Sequence, residues 1–571
     1  MTAFVGGEIV SVNADNVMTT YEAMLVKDSS IAYLGDRKGL ESFIADNNVK
    51  VIDITRKSIL PGFTDSHLHA SSMTELVFDA DILIGQPGTM FSRSEAIEKY
   101  KAVVTASVER NVDPEIYRGV GWDPGIFMGS PEGLPTAKDL AGIADDKPIL
   151  LRSYDHHLIW INEKALELSG ITAQTPDPRN GIIYRDDEGN PTGVFQENTA
   201  VDLVMSRVPG ADYSVEEYKT GIKAFQTTYG NPLGHTMVFD AYNSENGMKA
   251  YHQLAEEGSL TLRVKTCFYA NPALPMSQFD EIIEAKDKYH VEDLFNVDTV
   301  KFFVDGTGPS FCMHEPFESD WLKMMGLPEG YNGFPQWSQE ELNEIFCRLN
   351  DAGFQIHVHC MGDRATTMTL DAFEYVSKNS SITGLRHTIA HLMQVRETDI
   401  ERMGRLGIVA AMQPMWAQYA SLADTMSTVS LGIGRVLDQY RIGSIIKAGS
   451  VVSFGTDFPV TIPPSPVLGI YGAVNRSVAS NQPDYELFKD RKLGPEDDPS
   501  RDCCTLAEAI GAYCYGGAFQ CFMEDITGSL EVGKSADFVI LSDKISDVPQ
   551  DKLELIDVEA TYFCGKKVWS K

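Results

Sequence analysis

The chain has 571 residues, 43% of them hydrophobic and 10% aromatic, and a formal net charge of −33. That length can bury a core far larger than a minimal domain needs, and no run stays apolar and uncharged over the roughly 18 positions a membrane helix requires. Acidic residues outnumber basic ones by 81 to 48, so no basic patch exists to neutralise phosphates and nucleic acid is excluded as a partner; the dispersed carboxylates read as a solvated acidic surface.

In chain order, residues 1–60 read as short strands with turns: Glu8–Val12, Ala23–Val26, Ile31–Leu34 and Val49–Asp53. They lack the basic stretch and apolar core of a secretory signal. Residues 526–571 have the same texture, with strands at Asp537–Leu541 and Glu559–Cys564. Two β-rich ends predict one composite β-sandwich built from both termini, structural in role, with Gly528 and Gly533 as turn glycines. The nine cysteines include no C-x-x-C pair, and Cys503 and Cys504 are adjacent. This suits reduced thiols in a cytoplasmic protein better than a disulfide framework.

Pro61-Gly-Phe-Thr-Asp-Ser-His-Leu-His69 closes an apolar run that begins near Ser58. Side chains on a strand alternate faces, so His67 and His69 point the same way. Two imidazoles aimed at one point are what a divalent metal such as zinc requires. An H-x-H pair is weak by itself; its weight comes from ligand-type residues farther along the chain.

Residues 75–230 separate this strand from the next strand-like run. A structureless loop of that size is foreign to a compact domain, so the segment is expected to be an inserted subdomain, with a strand at Pro148–Tyr154 and a turn at Asp186–Asn190. Placed after strand one, it would cap the substrate and exclude water, as lids do. Its candidate substrate contacts are Trp122, Tyr154, His156, His157 and Glu197, each weighed against plain packing inside the subdomain.

Seven further short runs lie downstream: Gly234–Asp240, Leu262–Phe268, Thr299–Val304 with Lys301, Phe354–His359, His387–His391, Ile408–Gln413 and Val451–Asp457. Helix-length polar segments mostly separate them, two opening with capping boxes, Ser338-x-x-Glu341 and Thr505-x-x-Glu508. Strands alternating with helices predict an α/β fold with a parallel sheet. Eight strands, with ligand-type residues at their C-terminal ends, predict a (β/α)8 barrel over residues 61–525, whose active site lies at that face. His359 and His391 sit at strand ends, whereas His357 and His387 lie one layer lower. Gln413 ends strand seven and is a candidate substrate contact. Asp305 and Asp363 also follow strand ends, the latter as part of a helix start.

The order of H-x-H on strand one, Lys on four, His on five and six and Asp on eight resembles the amidohydrolase superfamily. Within it the chain is similar to the YtcJ-like group of the amidohydrolase-3 family, which includes N-substituted formamide deformylases. The resemblance covers nearly the whole length. It rests on the motif at 61–69, on Gly119-Val-Gly-Trp-Asp123 and on Leu151-Arg-Ser-Tyr-Asp-His-His157. Further matches are Pro191-Thr-Gly-Val194, Val300-Lys-Phe-Phe-Val-Asp-Gly306, His359-Cys-Met-Gly-Asp-Arg-Ala365, Arg386-His-Thr-Ile-Ala-His391, Phe454-Gly-Thr-Asp-Phe-Pro-Val460 and the segment Gly528–Leu541. The group usually has Gly where this chain has His156, and commonly Glu where Ala390 stands; both departures bear on substrate identity. His157 holds the place where related sequences carry their histidine. The resemblance also implies that Lys301 is N6-carboxylated and bridges two metals.

These pieces predict a metal-dependent hydrolase with one or two zinc-like ions. His67, His69, Lys301, His359, His391 and Asp457 are the candidate ligands. Bound water would lose a proton near neutrality, Asp457 would shuttle that proton to a leaving nitrogen, and His157 would polarise the substrate. The expected reaction is hydrolysis of an amide, N-substituted formamide or cyclic C–N bond of a small molecule, by a homodimer as the default assembly. Two alternatives stay open: ester or lactone hydrolysis or decarboxylation on the same metal site, and a catalytically inactive barrel acting as a binding or assembly protein. Retention of usable side chains at all six ligand positions argues against the second, and function must be argued from the site.

Overall fold

The strand Ser58–Pro61 belongs to one sheet and the strand Phe63–Leu68, two residues on, to another. In this computed structural model, which describes every residue except 45–48, 85–90, 111–113, 128–132, 155, 307, 381 and 421–426, Gly62 makes that passage. A Cβ at Gly62 would fall 2.1 Å from the Thr236 hydroxyl oxygen, so only glycine fits where the two sheets meet.

Phe63–Leu68 is the first of eight parallel strands. His235–Asp240, Arg263–Tyr269, Phe295–Phe303, Gln355–Cys360, Thr388–His391, Val409–Met412 and Val452–Phe454 complete the set, each paired with its predecessor. Strand eight returns to strand one through single bonds rather than a ladder. Asp457 N–H donates to His67 O at 2.8 Å and His69 N–H to Phe458 O at 2.7 Å. Thr456 adds its N–H and hydroxyl to the buried Asp65 carboxylate, at 3.1 and 2.6 Å. At Gly455 a Cβ would lie 2.6 Å from His67 N, so this seam also depends on a missing side chain. The result is a nearly closed (β/α)8 barrel.

Helices between the strands cover the barrel. Gln339–Asp351 and Leu506–Gly511 open with the two capping boxes, Ser338 with Glu341 and Thr505 with Glu508. The first buries Leu342, Ile345, Phe346 and Leu349, a spacing that places one apolar stripe against the strands.

Strands from both ends of the chain form one eight-stranded sheet. Its spatial order is Lys566–Ser570, Val558–Phe563, Phe538–Leu541, Ser58–Pro61, Thr2–Val12, Met18–Lys27 and Ser30–Gly35, with Lys50–Asp53 beside Thr2–Val12. Phe4 meets Phe538 and Tyr562 edge-on, at 5.1 and 5.5 Å between ring centres. The buried pair Arg263–Asp537, 3.1 Å apart, ties this sheet to barrel strand three.

The segment between barrel strands one and two contains a six-stranded sheet, in the order Ile182–Arg185, Pro191–Gln196, Leu158–Ile161, Ile149–Ser153, Tyr117–Trp122 and Ala80–Asp81. Its alternating residues feed two cores: Leu151, Leu158 and Trp160 on one face with Tyr100, and Leu150, Ile159 and Ile161 on the other with Val201. Both faces being covered explains the unbroken apolar strand Leu158–Ile161 in the middle of this sheet. Among the described residues no helix is long and apolar enough to cross a membrane.

Candidate metal centre

His67 ends barrel strand one and His69 comes just after it, while Asp457 stands past strand eight across the closing seam. Asp457 Oδ1 lies 3.1 Å from His69 Nε2 and 3.4 Å from His67 Nε2. Ligand atoms of these three residues all lie within 4.8 Å of one another. Asp457 adopts a left-handed φ of 58°, and His391 one of 73°. Such backbone in residues other than glycine costs about 1–3 kcal/mol each and persists where the surroundings over-determine it.

Burial disfavours the charged form of three of the candidate imidazole ligands. Burial, reinforced by Lys301 and the neighbouring histidines, pushes His67 well below the ordinary histidine range. Burial does the same to His359 and brings His391 down to about 4. Neutral rings offer lone pairs, which a metal needs. Burial works upward on the Asp457 carboxyl, but its close contact with His69 Nε2 and the electrostatic pull of His69, His391 and Lys301 prevail and hold it below the usual carboxylate value.

His391 lies beside both His67 and His359, with ring centres 4.7 and 4.5 Å apart. Lys301, wholly buried on strand four, points its Nζ to within 3.5 Å of His67 Nε2 and 4.8 Å of the Phe303 ring centre. Burial lowers its amine to about 8, which leaves a usable neutral fraction near neutrality. Lys301, His359 and His391 thus neighbour the trio His67, His69 and Asp457, whose ligand atoms alone lie within 4.8 Å of one another among the described residues.

Supporting contacts set how the rings face. His357 lies one layer below: its Nε2 is 2.8 Å from His67 Nδ1, and its ring stacks on Phe239. His67 therefore turns its Nε2 toward Asp457. Gln413, expected to touch substrate, does something else. It is fully buried, and its Oε1 lies 2.9 Å from His391 Nδ1, so it orients that ring. Asp305 is structural, its carboxylate accepting from the backbone N–H of Cys312, Met361 and Gly362 at 2.8–3.0 Å.

The inserted segment contributes unevenly. His157 Nδ1 is 2.9 Å from Glu197 Oε2, and Ser310, on the loop after strand four, donates to Glu197 Oε1 at 3.3 Å. His156 Nδ1 lies 3.5 Å from Glu75, which also receives Arg152 at 3.0 Å. His156 has a φ of 62°, the conformation glycine adopts most readily, which accounts for the glycine of related sequences at this place. Tyr154 is exposed at the end of its strand. Trp122 does not wall a pocket: it is fully buried in the subdomain core, donates Nε1–H to Leu151 O at 3.0 Å and packs on Trp160 and Phe127.

Sequence reasoning missed Trp416, whose ring stacks on His391 with planes 13° apart and whose Nε1–H is held by Thr461 Oγ1 at 2.8 Å. Its place three residues beyond Gln413, on the loop after strand seven, was the available signal. Glu75 was also missed, and no pattern around it distinguishes it from a solvated helix residue. Such an array can bind a divalent ion, activate water and move a proton.

A model of the amidohydrolase family (Amidohydro_3) matches residues 50–569. The chain is 26% identical over 559 residues to the putative amidohydrolase YtcJ of Bacillus subtilis, covering 96% of each. It is 25% identical over 565 residues to the N-substituted formamide deformylase of Arthrobacter pascens, covering 95% of this chain and 94% of that one. An uncharacterized metal-dependent hydrolase from Pyrococcus horikoshii has the same fold, with a TM-score of 0.71, 24% identity, and coverage of 96% of this chain and 99% of that one.

Proposed function

This chain belongs to the amidohydrolase family of metal-dependent hydrolases, and we propose that it hydrolyses a C–N bond of a small molecule: an amide, an N-substituted formamide or a cyclic amide. One observation carries the reading. Asp457 Oδ1 is buried with no hydrogen-bond partner among the described residues, beside two imidazole nitrogens. A divalent cation is the partner that satisfies such an oxygen, and the nitrogen-and-carboxylate donor set suits zinc. His67, His69 and Asp457 would hold one ion, with His359, His391 and a carboxylated Lys301 available to a second. A bound ion supplies water that ionises near neutrality and polarises the scissile carbonyl.

The remaining chemistry falls to this chain's residues. Asp457, held below the usual carboxylate value by His69, His391 and Lys301, takes a proton from the attacking water and delivers it to the leaving nitrogen. Amide and water become carboxylic acid and amine. His157 donates to the substrate carbonyl oxygen as charge develops there. Residues 75–230 cap the mouth and keep bulk water out, with Tyr154 and His156 as substrate contacts and the Trp416 ring as a further wall. The nine cysteines are free thiols, which supports a reducing cytoplasmic setting. A relative named for formamide deformylation supports placing formamides among the first substrates.

The test is elemental analysis of the purified protein, followed by assay of the zinc-loaded enzyme on formanilide, an N-acetyl amino acid and a six-membered cyclic amide, with phenyl acetate as an ester control. Bound metal with amine release from any amide supports the reading. Absence of metal after reconstitution, or turnover of the ester alone, overturns it.

A further inference from the structure

His157 belongs to the inserted segment, yet its carboxylate partner is clamped from the barrel. His157 Nδ1 lies 2.9 Å from Glu197 Oε2, and the Glu197 N–H donates to the His157 carbonyl at 2.8 Å, so side chain and backbone both join the pair. The other carboxylate oxygen accepts from Ser310 Oγ at 3.3 Å. Ser310 sits in the turn Gly308–Ser310, just past barrel strand four. The same loop carries Gly306, whose carbonyl lies 3.5 Å from His359 Nε2. Glu197 is thus one loop away from a candidate metal ligand, and its side chain is 10% exposed.

The backbone adds an independent observation. Glu197 holds a φ of 66°, a conformation that costs a residue with a side chain about 1–3 kcal/mol. It stands between the strand Pro191–Gln196 and the helix Asn198–Met205. A turn alone would be served there by glycine. The glutamate's use of both oxygens, one on His157 and one on Ser310, accounts for its presence.

We infer that Glu197 is a positioning residue for His157 rather than a substrate contact. It accepts from Nδ1–H, orienting Nε2 toward the substrate and favouring the imidazolium that donates through Nε2–H, and Ser310 makes that orientation depend on the barrel loop beside His359. A carboxylate on Nδ1 both orients a histidine and stabilises its protonated form. The inference rests on the proposed role of His157 as donor to the substrate.

Histidine-selective 15N labelling of the metal-loaded protein reads the tautomer directly, with the His157 signals identified by their loss in His157→Gln. The expected result is a protonated Nδ1; a His157 whose proton sits on Nε2 alone, leaving Nδ1 bare, overturns the inference. This readout needs no substrate, so it stands whether or not the enzyme cleaves C–N bonds. On formanilide, Glu197→Gln is expected to lower kcat about 10- to 100-fold while KM stays within about twofold, and Glu197→Asp to recover part of the loss. An unchanged kcat, or a loss confined to KM, overturns the positioning role. No turnover of formanilide by the wild type counts against the substrate reading alone, and the tautomer then decides.

Discussion

Gln413 Oε1 lies 2.9 Å from His391 Nδ1, at the base of the candidate metal centre. The amide oxygen can only accept, so His391 carries its proton on Nδ1 and turns Nε2 toward the cluster. Hydrogen-bond partners of this kind fix ring orientation and raise ligand basicity.

Replacing Gln413 with Leu removes the acceptor while keeping volume. The expected outcome is a drop in metal affinity of about 10- to 100-fold, measured by competition with a chelator, with the fold intact by circular dichroism. Unchanged affinity with a raised KM would return Gln413 to the substrate pocket.

Trp122 makes the opposite kind of prediction. Because it fills the core between Tyr100, Phe127 and Trp160, Trp122→Ala should destabilise the inserted segment by about 3–5 kcal/mol, seen as a lower-temperature transition in calorimetry. Metal content should not change. A stable variant with altered substrate selectivity would show that the ring faces the pocket.

Asp305 binds three backbone N–H groups on two loops. Asp305→Asn turns one acceptor oxygen into a donor, facing donors. A stability loss of about 1–3 kcal/mol in urea titration is expected, with local loss of amide-exchange protection at Met361 and Gly362. A neutral variant would mean that the loops are held by other contacts.

His235 supplies a pH dependence away from the metal ligands. Its Nε2–H donates to Pro464 O at 2.9 Å, its buried Nδ1 has no partner among the described residues, and burial pushes it down to about 4. In the unfolded chain it titrates near 6.5. Between those values the unfolded state binds a proton that the folded state refuses, so stability falls as pH drops through 6.5 toward 4. The contribution is on the order of 3 kcal/mol. His235→Gln should flatten the fall in Tm between pH 7 and pH 4.5; an identical slope would assign acid sensitivity to other groups.

The barrel was legible because its strands carry candidate chemistry at their ends, in the order H-x-H, Lys301, His359, His391 and Asp457, and because the capping boxes at Ser338 and, beyond strand eight, Thr505 mark helices. The expectation of period-two alternation also placed His357 beneath His359. Roles that depend on which way a polar side chain turns were not legible. Gln413 occupies a strand end just as a substrate contact would, and only its bond to His391 separates the two roles. Trp122 lies in a family-like motif, yet its indole N–H finds Leu151 inside the subdomain. The His156 backbone angle and the stacking of Trp416 on His391 arise from loops, whose course no periodicity encodes.

The paired strands Ser58–Pro61 and Phe538–Leu541 set an order of events during synthesis. A ribosome that has made the first of them must add the whole barrel and the inserted segment before the second emerges, roughly half a minute to a minute and a half at usual elongation speeds. Throughout that wait the growing chain presents an open β edge, the template on which unfinished proteins stick to one another. The nascent chain therefore carries that edge unpaired until the strand Phe538–Leu541 is made and covers it.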